Sequence, residues 1–470
     1  MSIRKKLIGD KAFYKMVLGV AVPMMIQNGI TNFVGLLDNI MVGRIGTEQM
    51  SGIAIVNQLL LVFNLAIFGA ISGAGIFGAQ FFGCKDHKGV RHTFRFKGYI
   101  CAAITLIGIL VFSIFGENLI RMYLHGEGNA QSLEAALYYG QQYLWVMLIG
   151  LLPFAVEQIY TSTLRECGET MVPMKAGVAA VLVNLILNYL LIFGKFGFPK
   201  LGVAGAAVAT VISRYVQAAI VMIWTHKHTQ KMPFIVGVYR EWSIPSHLVG
   251  KIVTKGTPLM LNEIMWSAGM AMLMQCYSIR GLYTVAAMNI SSTISNLFNI
   301  VFMAMGGAIS IIVGQLLGAG KMEEAKDTDT KLIAFSVFSC VGIGLVLICV
   351  APWFPMLYNT TDSVKELATS FLRIAAACMP IASFMHATYF TLRSGGKTII
   401  TFLFDSVFLW CVSIPLAYVL SRYTQMPIVP LYLSCQLIDI LKCILGFILV
   451  KKGVWLQNIV AADNKEKLTE

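Results

Sequence analysis

Twelve long apolar runs, separated by short polar turns, decide what this chain can fold into. Their approximate limits are 14–43, 50–82, 94–116, 134–161, 171–194, 203–225, 249–279, 283–317, 330–352, 366–391, 398–420 and 427–450. Each is long enough to cross a hydrocarbon layer about 30 Å thick as a helix. In lipid every backbone polar group must bond internally, and the weak alternation of barrel strands is absent. The expected fold class is therefore an all-α polytopic membrane protein of about twelve transmembrane helices. Composition excludes a soluble domain: 57% of residues are hydrophobic, only 13% are charged, and the mean hydropathy is +0.73.

The polar, basic stretch Met1 to Lys15 precedes an apolar run that is too long for a removable signal and lacks a small-residue cleavage site, so it reads as the first retained span. The ten cysteines lie mostly inside apolar runs and form no Cys-x-x-Cys pair, which leaves neither a zinc site nor a disulfide framework. A net charge of +13 could suggest nucleic acid. The bases, however, crowd one alternate set of loops, while the other set holds only Arg44, Arg121, Lys195, Lys200, Arg280, Lys365 and Arg422. That asymmetry is an orientation signal and places both termini in the cytoplasm.

The longest polar interruption, Thr225 to Gly250, divides the runs into two sets of six. The expected organisation is an amino-terminal lobe 1–225, a cytoplasmic linker 226–248, a carboxy-terminal lobe 249–452 and a cytoplasmic tail 453–470. A shift of 235 positions superposes Pro23 on Pro258, Gly46 on Gly281, Asn64 on Asn299, Gln80 on Gln315 and Gly83 on Gly318 without a gap. Thr163-Leu164-Arg165-Glu166-Cys167-Gly168-Glu169-Thr170 and Thr391-Leu392-Arg393-Ser394-Gly395-Gly396-Lys397-Thr398 share five of eight residues, each at the turn from the fourth to the fifth span of its half. An even number of spans per half makes these parallel six-helix repeats, an arrangement common in transporters with a substrate site between the halves.

Gly395-Gly396-Lys397-Thr398 ends like a phosphate-binding loop, but the glycine that should stand six residues before the lysine is Thr391, and no strand precedes it. No nucleotide partner is expected, and energy must come from an ion gradient. Neither His-Glu-x-x-His nor paired midplane aspartates occur, so the chain is not expected to be an enzyme.

Acids inside apolar spans are costly and read as functional. Asp38 lies near the outer end of the first span, roughly 8 Å in. Asn184 and Asn188, four apart on one helix face, and Thr210 on the descending sixth span reach nearly the same depth. One carboxylate, two amides and a hydroxyl suit a hard monovalent cation, either sodium or a proton on Asp38. Pro23 is the candidate hinge of the first span. In the second half Glu263 falls near the midplane and suits a cationic, aromatic-bearing substrate. Asp405, His386, Asn57 and Asn289 complete the candidate substrate or coupling set, while Asp439 and Lys442, three apart, can pair on one helix.

Together these features resemble the multidrug and toxic compound extrusion family. The likeness is carried by two six-span repeats, Asp38-Asn39-Ile40-Met41-Val42-Gly43 with Gly46, the Gln80 and Gln315 turns, Thr-Leu-Arg-x-x-Gly-x-Thr, and Asn184 to Gly194. The resemblance implies exchange of sodium or protons for bulky, mostly cationic organic compounds through a cleft between lobes that opens alternately to either side. It implies that Asp38, Asn184, Asn188 and Thr210 form the amino-lobe cation site, with Asn188 standing where many members have aspartate. Glu263 matches an acid some members carry on the seventh span, whereas the accompanying aspartate on the tenth span is missing and Ser383 stands near that place. The expected partners are small organic substrates and membrane lipids, with no nucleic acid and no cofactor beyond the coupling ion. A monomer in a bacterial inner membrane is expected. The alternative, a lipid-linked glycan flippase, would need several basic residues in its cleft, where only Arg214 and Arg373 are candidates.

Overall fold

The computed structural model describes residues 7–124 and 130–461, and the side chains of 34, 36–40 and 130 fall outside the description. The described chain is helical throughout, in the order α1 Lys11–Gly43, α2 Thr47–Gly83, α3 His87–Tyr123, α4 Ala130–Ile149, α5 Leu151–Glu166, α6 Met171–Phe193 and α7 Val203–Lys227. There follow α8 Ser246–Ser278, α9 Leu282–Gly318, α10 Met322–Val350, α11 Asp362–Ser394, α12 Thr398–Tyr423 and α13 Ile428–Lys451. Ten of these are long and apolar enough to cross a membrane, and the α4–α5 pair makes an eleventh span. The remaining long helix, α8, has the length to cross but carries Lys251, Lys255 and Glu263 and falls short of the same apolar standard.

The fourth run, expected to be one helix over 134–161, is two helices bent by 47°. The cause is local. Pro153 has no N–H to continue the ladder, and Gly150 permits the turn. The Gly150 carbonyl, which accepts from Phe154 N at 3.3 Å, also accepts from Arg214 Nη1 at 3.2 Å, so a charged side chain of α7 is fixed at the bend. At the end of α6 Gly194 adopts φ 65°, and the backbone of Lys200 packs within about 3 Å of where a side chain would begin, so only glycine fits.

The chain forms two compact units. One contains Met1–Met25, Ala79–Asp86 and Val253–Glu470, the other Ile26–Gly78 and His87–Ile252. Helix α1 passes from the first to the second just after Pro23, and α2 returns to the first at Ala79. In the second unit the stretch after α7 is folded rather than slack. Phe234, Ile235 and Val238 are buried, and the arginines of α3 hold its carbonyls: Arg91 Nε to Phe234 O at 3.0 Å, Arg95 Nε to Val238 O at 2.8 Å and Arg95 Nη2 to Gly237 O at 3.0 Å.

In the first unit the core joins Val17, Ala21 and Met24 of α1 to Ala304–Leu317 of α9, Leu332 of α10 and Leu392 of α11. Trp455, 1% exposed, closes it from the segment after α13, with Val454 and Leu456 packed alongside. That segment is tied down by the Gln80 carboxamide. Gln80 Nε2 donates to Ser394 O at 2.9 Å and to Gln457 O at 3.2 Å, and its Oε1 accepts from Ile459 N at 2.9 Å.

Candidate functional site

Helices α6 and α7 lie side by side, and their small residues let polar groups meet within apolar spans. Asn188 and Asn184 are 2% and 5% exposed. Asn188 Nδ2 donates to Asn184 Oδ1 at 3.1 Å, Asn184 Nδ2 donates to Thr210 Oγ1 at 3.3 Å, and the Thr210 hydroxyl donates to Ala206 O at 3.0 Å. Three of the four expected cation ligands therefore form one chain of amide and hydroxyl groups. Asp38 lies on α1, and its side chain is outside the described residues.

The same unit holds an acid that the sequence reading missed. Glu157, on α5, is 3% exposed. Its Oε1 accepts from Thr161 Oγ1 at 2.6 Å and Gln217 Nε2 at 3.0 Å, and its Oε2 from Gln158 Nε2 at 2.9 Å. Three donors thus converge on its two oxygens. Arg165 and Arg214 lie within electrostatic reach, Arg165 bonding Gln27 Oε1 at 2.6 Å and Arg214 lying 5.0 Å over the Phe154 ring. The rule that singled out Asp38 and Glu263, an acid inside an apolar run, would have found Glu157 as well. Asn57 accepts a long bond, 3.4 Å, from Tyr143 O–H and is exposed.

A second polar group sits in the other unit. Asp405 occupies a π turn of α12, residues Leu403–Val407, a local widening of the helix often found at functional positions. Its Oδ2 accepts from Asn262 Nδ2 at 3.1 Å and its Oδ1 from Lys442 Nζ at 3.4 Å. Lys442 is 3.9 Å from Asp439, as the three-residue spacing suggested, but its nearer acid is Asp405. Asn262 also bonds the Tyr389 hydroxyl at 3.3 Å and accepts from Ser406 Oγ at 2.7 Å. Glu263, the next residue, is half-buried and within electrostatic reach of Arg393 and Asp405. His386 pairs Nδ1 with Ala382 O at 3.1 Å, packs with its ring centroid 4.7 Å from that of Phe302 at a tilt of 57°, and lies within reach of Asp405 and Lys442. Glu263, Asp405 and His386 thus share one neighbourhood, whereas Asn289 is exposed on α9. Ser383, fully buried, bonds Ser336 at 2.8 Å. Among the described residues no cluster of three His, Cys, Asp or Glu side chains could hold a metal ion.

The MatE family model matches residues 23–190 and again 258–419. The two matches start at Pro23 and Pro258, the offset of the internal repeat. The chain is 24% identical to the probable multidrug resistance protein NorM of Thermotoga maritima over 453 residues, covering 96% of this chain and 95% of that one. It is also 24% identical to the probable multidrug resistance protein YoeA of Bacillus subtilis over 425 residues, 88% of each. Among solved structures, a multidrug resistance MATE family transporter of the MOP superfamily in an outward-facing conformation superposes with a TM-score of 0.82 at 19% identity, over 96% of this chain and 98% of that one. A MATE in the bent conformation gives 0.83 at 19% identity, over 95% and 96%. With the repeat, the helical architecture and a family match along most of its length, the chain belongs to the MatE family, the multidrug and toxic compound extrusion transporters.

Proposed function

We propose that this multi-pass membrane protein is a secondary active exporter of bulky, mostly cationic organic compounds, driven by antiport of sodium or protons in a bacterial inner membrane. The observation that carries the reading is the buried Asn188–Asn184–Thr210 chain inside the apolar spans α6 and α7. Buried polar groups away from water are retained where they bind something or hold helices together. Its oxygens suit a hard monovalent cation, and Asp38 would supply the charge. In this reading Asp38 alternates between a cation-bound and a substrate-competent state, and Pro23 lets α1 bend when the charge is neutralised. Glu263, beside the Asp405–Asn262 network, attracts the substrate's positive charge. The naming of the relatives as probable multidrug resistance proteins supports the substrate class.

The test is efflux of a fluorescent organic cation from proteoliposomes with sodium and pH gradients imposed separately. One gradient should drive efflux, and Asp38→Asn should abolish the ion-driven component. Full ion-coupled transport by that variant would overturn the assignment. Glu263→Gln should slow efflux of cationic substrates several-fold more than of neutral ones, and equal loss for both would remove its charge-pairing role.

A further inference from the structure

The first unit contains a buried acid that neither polar cluster uses. Asp329 lies about two turns into α10 and is fully buried. Its Oδ1 is 2.6 Å from Thr391 Oγ1 on α11, and its Oδ2 is buried without a hydrogen-bond partner. Thr391 Oγ1 is also 3.0 Å from the carbonyl oxygen of Ala387. A threonine hydroxyl has one proton to give. If Asp329 is ionised, that proton goes to the carboxylate, the Ala387 carbonyl loses it, and the second charged oxygen stays buried without a partner. If Asp329 carries a proton, the acid donates to Thr391, Thr391 donates to Ala387 O, and only a neutral carbonyl oxygen is left over. The proton count favours the neutral acid, because an uncompensated buried charge costs far more than a neutral oxygen.

No charged group compensates an ionised Asp329 among the described residues. On α11, His386 is turned to Ala382 O and Phe302, Tyr389 bonds Asn262, and Arg393 lies 5.4 Å over the Phe390 ring. Helix α9 has no charged residue, and its one tyrosine, Tyr283, is exposed. Lys11 and Lys15 of α1 are exposed, and Tyr14 packs edge-on against Phe335. On α10 itself Lys331 is paired with Asp327 and Lys321 with Glu324, and Glu323 and Lys326 are exposed. The segment Gly453–Val460 carries no charge. The other unit makes the contrast: there the third helix of the repeat sends Lys97 to the corresponding Thr163, at 3.0 Å, with the Glu166 carboxylate as counter-ion.

We propose that Asp329 is a proton-binding site, occupied while α10 and α11 are packed and emptied when their seam admits water. Binding is linked to conformation: the packed seam holds the proton and the parted seam releases it, so raising pH favours parting. This reaches beyond the transport reading, since it holds whichever ion drives efflux.

The test uses the full chain in lipid nanodiscs. Infrared difference spectra of wild type against Asp329→Asn at neutral pH should contain the carbonyl stretch of one protonated carboxylic acid, missing from the variant. Amide exchange along α10 and α11, corrected for the intrinsic pH dependence, should lose protection with rising alkalinity by up to about tenfold per pH unit, the slope of a single linked proton. In Asp329→Asn, an isostere of the neutral acid, that slope should vanish. Should this variant fail to fold, Thr391→Val keeps the acid and should move its carbonyl stretch to the position of a non-hydrogen-bonded acid. An infrared signature of ionised Asp329, or a slope unchanged in Asp329→Asn, overturns the proposal. Loss of efflux with the acid band intact counts against the transport reading and not against this one.

Discussion

Lys97 shows what a single residue contributes inside an apolar span. Fully buried, its ammonium donates to both oxygens of Glu166 at 2.6 and 2.7 Å, to Thr163 Oγ1 at 3.0 Å and to Ser162 Oγ at 3.1 Å. Glycines of α2 make room for the carboxylate: a Cβ at Gly78 would lie 2.2 Å from Glu166 Oε2 and one at Gly75 2.8 Å from Oε1. Taking away one partner strands the other charge, so Glu166→Gln should destabilise the protein by about 3–5 kcal/mol. The double variant Lys97→Met, Glu166→Gln should recover most of that loss. Thermal unfolding in detergent, read as a double-mutant cycle, checks it; additive losses would show that the pair is not coupled. The sequence marked Thr163 to Glu166 as half of a repeat but gave no hint of Lys97, because the partner comes from another helix far upstream. The same blindness hid Gln217 from Glu157, while Asn184 and Asn188 were legible because a four-residue spacing fixes their common face.

At the scale of elements, the repeat acquires a physical meaning. Gln80 matches Gln315 and Gly83 matches Gly318 in sequence, and in the structure these equivalents meet. A Cβ on Gly83 would stand 2.0 Å from Gln315 O, and one on Gly318 1.9 Å from Gln80 O, so the ends of α2 and α9 cross backbone to backbone. Internal similarity announced equivalence, yet contact between equivalent positions was not readable from it. Backbone atoms cannot swing aside as a side chain can. Gly83→Ala and Gly318→Ala should therefore each cost about 1–3 kcal/mol by overpacking. The terminal segment clamps the same end, with Trp455 buried and Asn458 Nδ2 donating to Gly318 O at 2.9 Å. Truncation after Lys452 should lower the melting temperature by an amount equivalent to losing a buried tryptophan, about 3–5 kcal/mol. Unchanged thermal stability of the truncated chain would mean that the segment rests on the core without supporting it. This clamp was invisible beforehand because Gly453 to Val460 is short and follows the last span, where a loose tail is the ordinary expectation. The Gly150 bend escaped notice for a related reason: hydropathy is blind to direction, and only Gly150 with Pro153 carried the signal.

For the whole molecule the open variable is how many times the chain crosses the membrane, and α8 decides it. Ten helices and the bent pair meet the apolar requirement, but α8, with two lysines and Glu263, does not. Its length of 33 residues suffices to span, and long lysine side chains can reach the interface from near a helix end. If α8 crosses, twelve spans put both termini on one side, as the skew of Lys and Arg between alternate loops requires. If α8 lies along the surface, eleven spans put the termini on opposite sides and invert every loop after it. Leu282, 85% exposed at the start of α9, separates these outcomes. In a cysteine-free background, Lys195→Cys after α6 should react with a membrane-impermeant maleimide on intact cells, and Lys88→Cys at the start of α3 only after permeabilisation. Leu282→Cys should then label like position 195 if α8 crosses and like position 88 if it does not. We expect labelling from outside at 195 and 282 and protection at 88. Protection at 282 with labelling at 195 would refute a twelve-span chain, and labelling at 88 alone would reverse the orientation drawn from the charge asymmetry.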